Sequence, residues 1–281
     1  MATLPATLTI IGGGHVGKTL GRLWAVNRHF VLQDVFSRSI DHAESAVAFI
    51  GAGHAVNDYA DLKPADIFMI ATPDDHIAQC CEKLAQSGRL SADSIVFHCS
   101  GALGSSELEA ARKLGAAVAS VHPIRSFAAP ENLVQNFAGT YCGVEGDQRA
   151  LDILNPAFSV IGAQPIAIDP ALKILYHSAA VFACNYLATL LDVAQQAYVK
   201  SGVSDHAALK LMEPLVRETV HNIFRLGPAA ALTGPIARGD MATVEKQHKA
   251  VAGWNKQHGE LYEQFARLTV ELAARRNMPK P

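Results

Sequence analysis

The segment TLTIIGGGHVGKTLG, Thr7 to Gly21, passes directly from an apolar run into a cluster of glycines. Gly12-x-Gly14-x-x-Gly17 follows a predicted strand and opens a predicted helix, the setting in which this spacing has a physical meaning. Gly12 permits a tight turn, Gly14 lets backbone approach a pyrophosphate, and Gly17 lets the helix pack close on the strand. His15 and Val16 fall inside the motif, at the helix N-terminus whose N–H groups and positive dipole end suit phosphates. Gly12, Gly14, His15, Val16 and Gly17 are therefore candidate cofactor-binding residues. Gly21, one turn later, belongs on the face that meets a sheet.

The next predicted strand, HFVLQDVFSRS, ends in Ser37, Arg38 and Ser39. A carboxylate at that place favours the free 2′-hydroxyl of an adenine ribose, and an arginine accommodates a 2′-phosphate. Two hydroxyls and a guanidinium select NADP over NAD. Asp34 is the competing acid, but it lies inside the strand.

Strands and helices then alternate. DHAESAVAFIG is a helix with a capping box from Asp41 to Glu44 and a stop at Gly51. In ATPDDHIAQCC, Thr72 is placed to cap a helix with Pro73 at its first position, and in HCSGALG a second turn follows a buried strand. Ligands of open α/β sheets bind beyond the carboxyl ends of the strands, which adds Thr72, Pro73, Ser100 and Gly101 to the cofactor candidates. The pattern implies an α/β fold, a doubly wound and mostly parallel sheet over residues 1–168, followed by an all-α domain over residues 169–281. That second part begins with Asp169 and Pro170 and runs as one long apolar helix to about Ser201, a buried spine by its composition. Pro214 marks a kink or break in a later helix, and Asp240 a cap after the loop ALTGPIARGD.

The net charge of −2 and the absence of a basic stripe argue against a nucleic-acid partner. The opening residues lack the pattern of a secretory signal, and the spine carries Asn185 and Asp192, so neither export nor membrane insertion is expected. Five cysteines (Cys80, Cys81, Cys99, Cys142 and Cys184) form no C-x-x-C pair, which suits free thiols in a cytoplasmic protein without a metal.

Lys173 and His177 share a face of the spine, with Asn185 two turns further on. A lysine on an apolar helix facing a nicotinamide crevice is a candidate proton donor, since burial lowers its pKa toward neutrality. His177 is the competing candidate.

The segments TIIGGGHVGKTLGRLW, HCSGAL, SVHP, KILYHSAAVFACNYLATL and LTGPIARGD together resemble a bacterial family of NADP oxidoreductases. These couple a Rossmann-like domain to a helical domain first catalogued without a function. The family is similar to 6-phosphogluconate dehydrogenase, pyrroline-5-carboxylate reductase and ketopantoate reductase. The resemblance implies hydride transfer from NADPH to a small carbonyl or imine bearing a carboxylate, with ketopantoate the most concrete substrate. It implies a catalytic lysine at Lys173, although His177 stands where relatives commonly carry asparagine. It also implies that TGPIARGD delivers groups to the cleft, Arg238 clamping a carboxylate and Asp240 orienting it or capping the next helix. Helical domains of this kind pair, so a homodimer is expected. A non-catalytic NADP(H)-binding regulator is the alternative.

Overall fold

The computed structural model describes residues 5–277 and divides the chain into two compact units, Met1–Val181 and Phe182–Pro281. The sequence boundary expected at 168/169 falls between the last strand and the Asp169 cap, so the first helical segments beyond it lie in the unit that holds the sheet.

Eight strands form one sheet: β1 (Thr7–Ile11), β2 (Val31–Phe36), β3 (His54–Val56), β4 (Ile67–Ile70), β5 (Ile95–His98), β6 (Ala117–Pro123), β7 (Tyr141–Gly146) and β8 (Gln164–Ala167). Their order is β3-β2-β1-β4-β5-β6-β7-β8, and every pairing is parallel except β6 with β7. The chain reverses its direction of winding between β1 and β4, and the crevice beyond their carboxyl ends is where such a sheet accepts a ligand. β4 is buried along its whole length, as expected of a parallel strand covered on both faces.

Six helices connect the strands: α1 (His15–Asn27), α2 (Ile40–Ile50), α3 (Ile77–Gln86), α4 (Glu109–Arg112), α5 (Pro130–Asn136) and α6 (Gln148–Val160). On one face, Trp24 of α1 anchors the core. It meets Phe30, Phe97 and Phe158 edge-on and donates its indole N–H to Ala157 O at 2.8 Å. Gly21 lets this helix approach, since a Cβ there would come within 2.7 Å of Ile10 and 2.9 Å of Ile50. Two expected caps are not made. α2 begins at Ile40 after Ser39, so the box from Asp41 to Glu44 starts inside the helix. Thr72 caps nothing, because a 3-10 turn at Asp74–His76 intervenes before α3.

The helix expected from Pro170 to Ser201 is a succession of turns. A 3-10 turn (Pro170–Leu172) capped by Asp169 leads into α7 (Lys173–Val181), then a π-helical turn (Phe182–Tyr186), then α8 (Leu187–Lys200). By length and composition this stretch could cross a membrane, and none of its most apolar window is buried. The expectation of a buried spine is thus corrected: apolar composition marks a face that needs covering, and the described residues do not cover it. The remaining helices are α9 (Asp205–Leu226), α10 (Pro228–Ala231), α11 (Met241–Trp254) and α12 (Lys256–Ala274). α9 runs through Pro214 without a break.

Candidate active site

The glycine loop leaves β1 with Gly12 at φ +113°, a conformation that only glycine adopts cheaply. A Cβ on Gly12 would meet Ala71 O at 2.5 Å, and one on Gly17 would strike Gly12 O. Gly14 differs. Its φ is −71° and nothing lies within 4 Å of where its Cβ would stand. The fold does not need this glycine, and the open space in front of it is what close approach of a pyrophosphate requires.

A cleft opens here, lined by Gly12, Gly14, Ser37, Arg38, Thr72 and Pro73 among others. Six sequence candidates thus meet in one place. Thr72 Oγ1 is buried there without a partner, a hydroxyl left for a ligand. Gly13 N–H donates to Ser37 Oγ at 3.1 Å, tying the end of β2 to the glycine loop. Arg38 and Ser39 are exposed, and Ser39 makes no capping bond. His42, His76 and Lys83 also line the cleft, and no Asp or Glu does among the described residues. These three were not foreseen; His42 and His76 sit on helical turns just after β2 and β4, Lys83 lies in the last turn of α3, and they reach the cleft only through the fold. Asp34 is buried, its Oδ2 accepting from Lys63 N at 2.8 Å, and it does not line the cleft. His15, Val16 and Gly17 lie in the first turn of α1, not on the cleft lining.

Beyond β5, Ser100 donates to Asp74 at 2.8 Å and accepts from Ala102 and Leu103 N–H, which fixes the turn holding Gly101. Beneath it, His98 is fully buried. Its Nε2 lies 2.9 Å from Gly104 O, and its Nδ1 accepts from Ser100 N–H. These partners define a neutral ring with its proton on Nε2. Burial pulls its pKa down from 6.5 to about 4. Because the folded value lies below the unfolded one, the stabilising contribution is complete above pH 6.5 and is lost as pH falls toward 4. The expected loss is up to about 3 kcal/mol from this group. Urea denaturation at pH 7 and pH 4.5 measures it, and His98→Gln should flatten the slope between them.

Lys173 is 2% exposed, and with Glu145 and Ser105 it lines a cavity beside the turn that follows β5. Its Nζ bonds Ser120 Oγ and lies 3.2 Å from Glu145 Oε1. Glu145 is equally buried and accepts from Ser105 N–H and Oγ–H, both at 2.8 Å. Burial holds the lysine pKa below its ordinary value although Glu145 opposes this. One turn on, Tyr176 and His177 meet His122, which lies in the β6 segment SVHP. His122 Nδ1 is 3.0 Å from Tyr176 Oη, and the His122 and His177 ring centroids are 5.8 Å apart. Burial, then His177 and Lys173, pull His122 down to about 4. His122, Tyr176 and Glu145 escaped the sequence reading, and only the motif SVHP hinted at the first.

Asn185, Arg238 and Asp240 belong to the second unit. Asn185 lies exposed on the π-helical turn. Arg238 is exposed at the end of a 3-10 turn, Ile236–Arg238, closed by Gly239 at φ +76°. Asp240 accepts from Thr243 N at 3.1 Å, so it does cap α11, and this bonding lowers its pKa.

An open α/β sheet with a glycine-loop cleft at its switch point, followed by a helical unit, defines a Rossmann-like fold with an all-α C-terminal part. Residues 3–123 match the Rossmann-like domain model, and residues 140–269 match DUF2520, a domain of unknown function. No curated protein matches the chain. Among solved structures, protein TM1727 of Thermotoga maritima is 26% identical with a TM-score of 0.77, covering 96% of this chain and 100% of its own. BF3122 of Bacteroides fragilis, put forward as an NADP oxidoreductase, is 20% identical with a TM-score of 0.74, covering 95% and 98%. An imine reductase of Myxococcus stipitatus in complex with NADP+ is 17% identical with a TM-score of 0.66, covering 95% of each chain.

Proposed function

We propose that the protein is an NADP-dependent oxidoreductase that reduces a small carbonyl or imine bearing a carboxylate, a ketopantoate-like 2-oxo acid being the most concrete case. The observation that carries this reading is the cleft itself. Gly14 faces open space, Thr72 offers an unpartnered hydroxyl, and the charged side chains on the lining are basic. A pyrophosphate and a 2′-phosphate satisfy all three. The names of the imine reductase and of BF3122 agree with it.

In this reading the nicotinamide supplies hydride, and this chain supplies the rest. Arg38 with Ser37 and Ser39 holds the 2′-phosphate. His177, beside Gly101, gives the proton to the developing oxygen or nitrogen. Lys173 pins α7 to β6 and β7 through Ser120 and Glu145, which places His177 one turn later. The parts of Asn185, Arg238 and Asp240 rest on the sequence pattern alone. Arg238→Ala should raise KM with little change in kcat, as loss of a ground-state contact does.

Arg38→Ala should weaken NADP binding by about 1.5–3 kcal/mol and leave NAD nearly unchanged, since a charge-assisted contact to the phosphate is lost. Calorimetry of both cofactors checks this. For the reaction, NADPH consumption is followed across a panel of 2-oxo acids and cyclic imines. Turnover of at least one supports the proposal; cofactor binding without turnover of any favours a regulator.

We also propose a homodimer. Ala208, Met212 and Val244 are the only buried hydrophobic side chains in the second unit among the described residues, while Phe182, Leu190, Phe265 and Leu268 stand exposed. A unit with so small a core needs a further surface to cover it. Light scattering at micromolar concentration should give twice the chain mass of 29.9 kDa.

A further inference from the structure

Two glycines admit a cluster of rings that the cofactor cleft does not explain. Gly101 follows β5 and Gly143 lies on β7, and neither has a positive φ. A Cβ on Gly101 would strike His177 Nδ1 and come within 2.8 Å of His122 Nε2; one on Gly143 would strike Tyr176 Oη. Backbone conformation does not call for glycine at either position. The space is needed by the three rings.

Their polar atoms are arranged in sequence. The Tyr176 phenol is neutral, burial pushing its pKa up to about 12. Its one proton is then free to point at His122 Nδ1, 3.0 Å away. A neutral His122 that accepts at Nδ1 carries its own proton on Nε2, the atom beside Gly101 where His177 Nδ1 also lies. His177 Nδ1 is buried and has no partner. A proton placed there would find no acceptor, so the neutral His177 ring carries its proton on Nε2. Asp74 and Lys173 act electrostatically on His122, and Cys142 on Tyr176.

We propose that Tyr176 and His122 are positioning residues that lock His177 as its Nε2–H tautomer and refill it as it donates. The catalytic part of this rests on the reductase reading above. In the transfer, the His177 Nε2–H bond breaks and the proton passes to the substrate oxygen or nitrogen that hydride addition has made basic. His177 Nδ1 takes the proton of His122 Nε2, and His122 Nδ1 takes that of Tyr176. After the product leaves, solvent returns a proton to His177 Nε2; His177 Nδ1 then gives its proton back to His122 Nε2, and His122 Nδ1 gives its own back to the Tyr176 phenolate, so that both rings regain the Nε2–H tautomer. The rings of His122 and His177 cross at 70° without a hydrogen bond, so the transfer between them requires one ring to turn.

The test begins without substrate. Nitrogen NMR of the histidine rings in labelled protein at pH 7 should show His122 and His177 both as neutral Nε2–H tautomers. Tyr176→Phe, which removes only the hydroxyl, should release His122 into a mixture of tautomers. Either ring found as Nδ1–H, or tautomers unmoved in Tyr176→Phe, overturns the lock. With a substrate in hand, Tyr176→Phe should lower kcat by up to about 10²-fold, the lower end of what a positioned proton donor contributes, with KM for NADPH unchanged. An unchanged kcat overturns the refilling role. The tautomers as stated, with no turnover of any substrate, would support the lock and overturn the reductase reading alone.

Discussion

Lys173→Met should destabilise the protein by about 3–5 kcal/mol, an effect far larger than removal of a surface lysine would have. The substitution leaves the Glu145 carboxylate 3% exposed with its cationic partner gone. Ser105 still donates twice to that carboxylate, which places the cost toward the lower end of the range. Lys173→Met/Glu145→Gln should recover most of the loss, because the amide is neutral and its oxygen can still accept from Ser105 N–H. Urea denaturation of the parent, the single and the double variant gives the three values. A single variant of parental stability that has lost turnover would return Lys173 to the role of proton donor.

Gly14→Val should abolish cofactor binding and leave the fold intact. The backbone at Gly14 is one that valine can adopt, and its Cβ meets nothing. The side chain would instead fill the space through which phosphates reach the helix N-terminus. The same change at Gly17 would not separate the two effects, since its Cβ would strike Gly12 O and push α1 from the sheet. Circular dichroism should therefore be parental for Gly14→Val while NADPH binding falls below detection. Retained binding in a folded variant would mean that the loop is only a turn.

What the sequence shows and what it hides divide along local and non-local lines. The glycine loop, the strand ends at Ser37–Ser39 and Thr72, and the Asp240 cap are each written in a few neighbouring residues; Gly12, Gly14, Ser37, Arg38 and Thr72 line one cleft, and Asp240 caps α11. Thr72 does not cap a helix, because a 3-10 turn intervenes, and a 3-10 turn and an α-helix start from similar residues. The Lys173 network depends on the ladder that sets Ser120 opposite Glu145 in antiparallel register, and β6 and β7 were legible only as strands. His122 opposite Gly143 comes from the same register. The exposure of the Pro170–Lys200 stretch was hidden for another reason: hydropathy says that a face must be covered, not which chain covers it.

The most direct test titrates NADPH and NADH separately into the parent protein by calorimetry. One site per chain, with NADPH at least about tenfold tighter, a difference of about 1.4 kcal/mol, is the predicted result. Equal affinities, or no heat from either cofactor, would contradict the account at its centre.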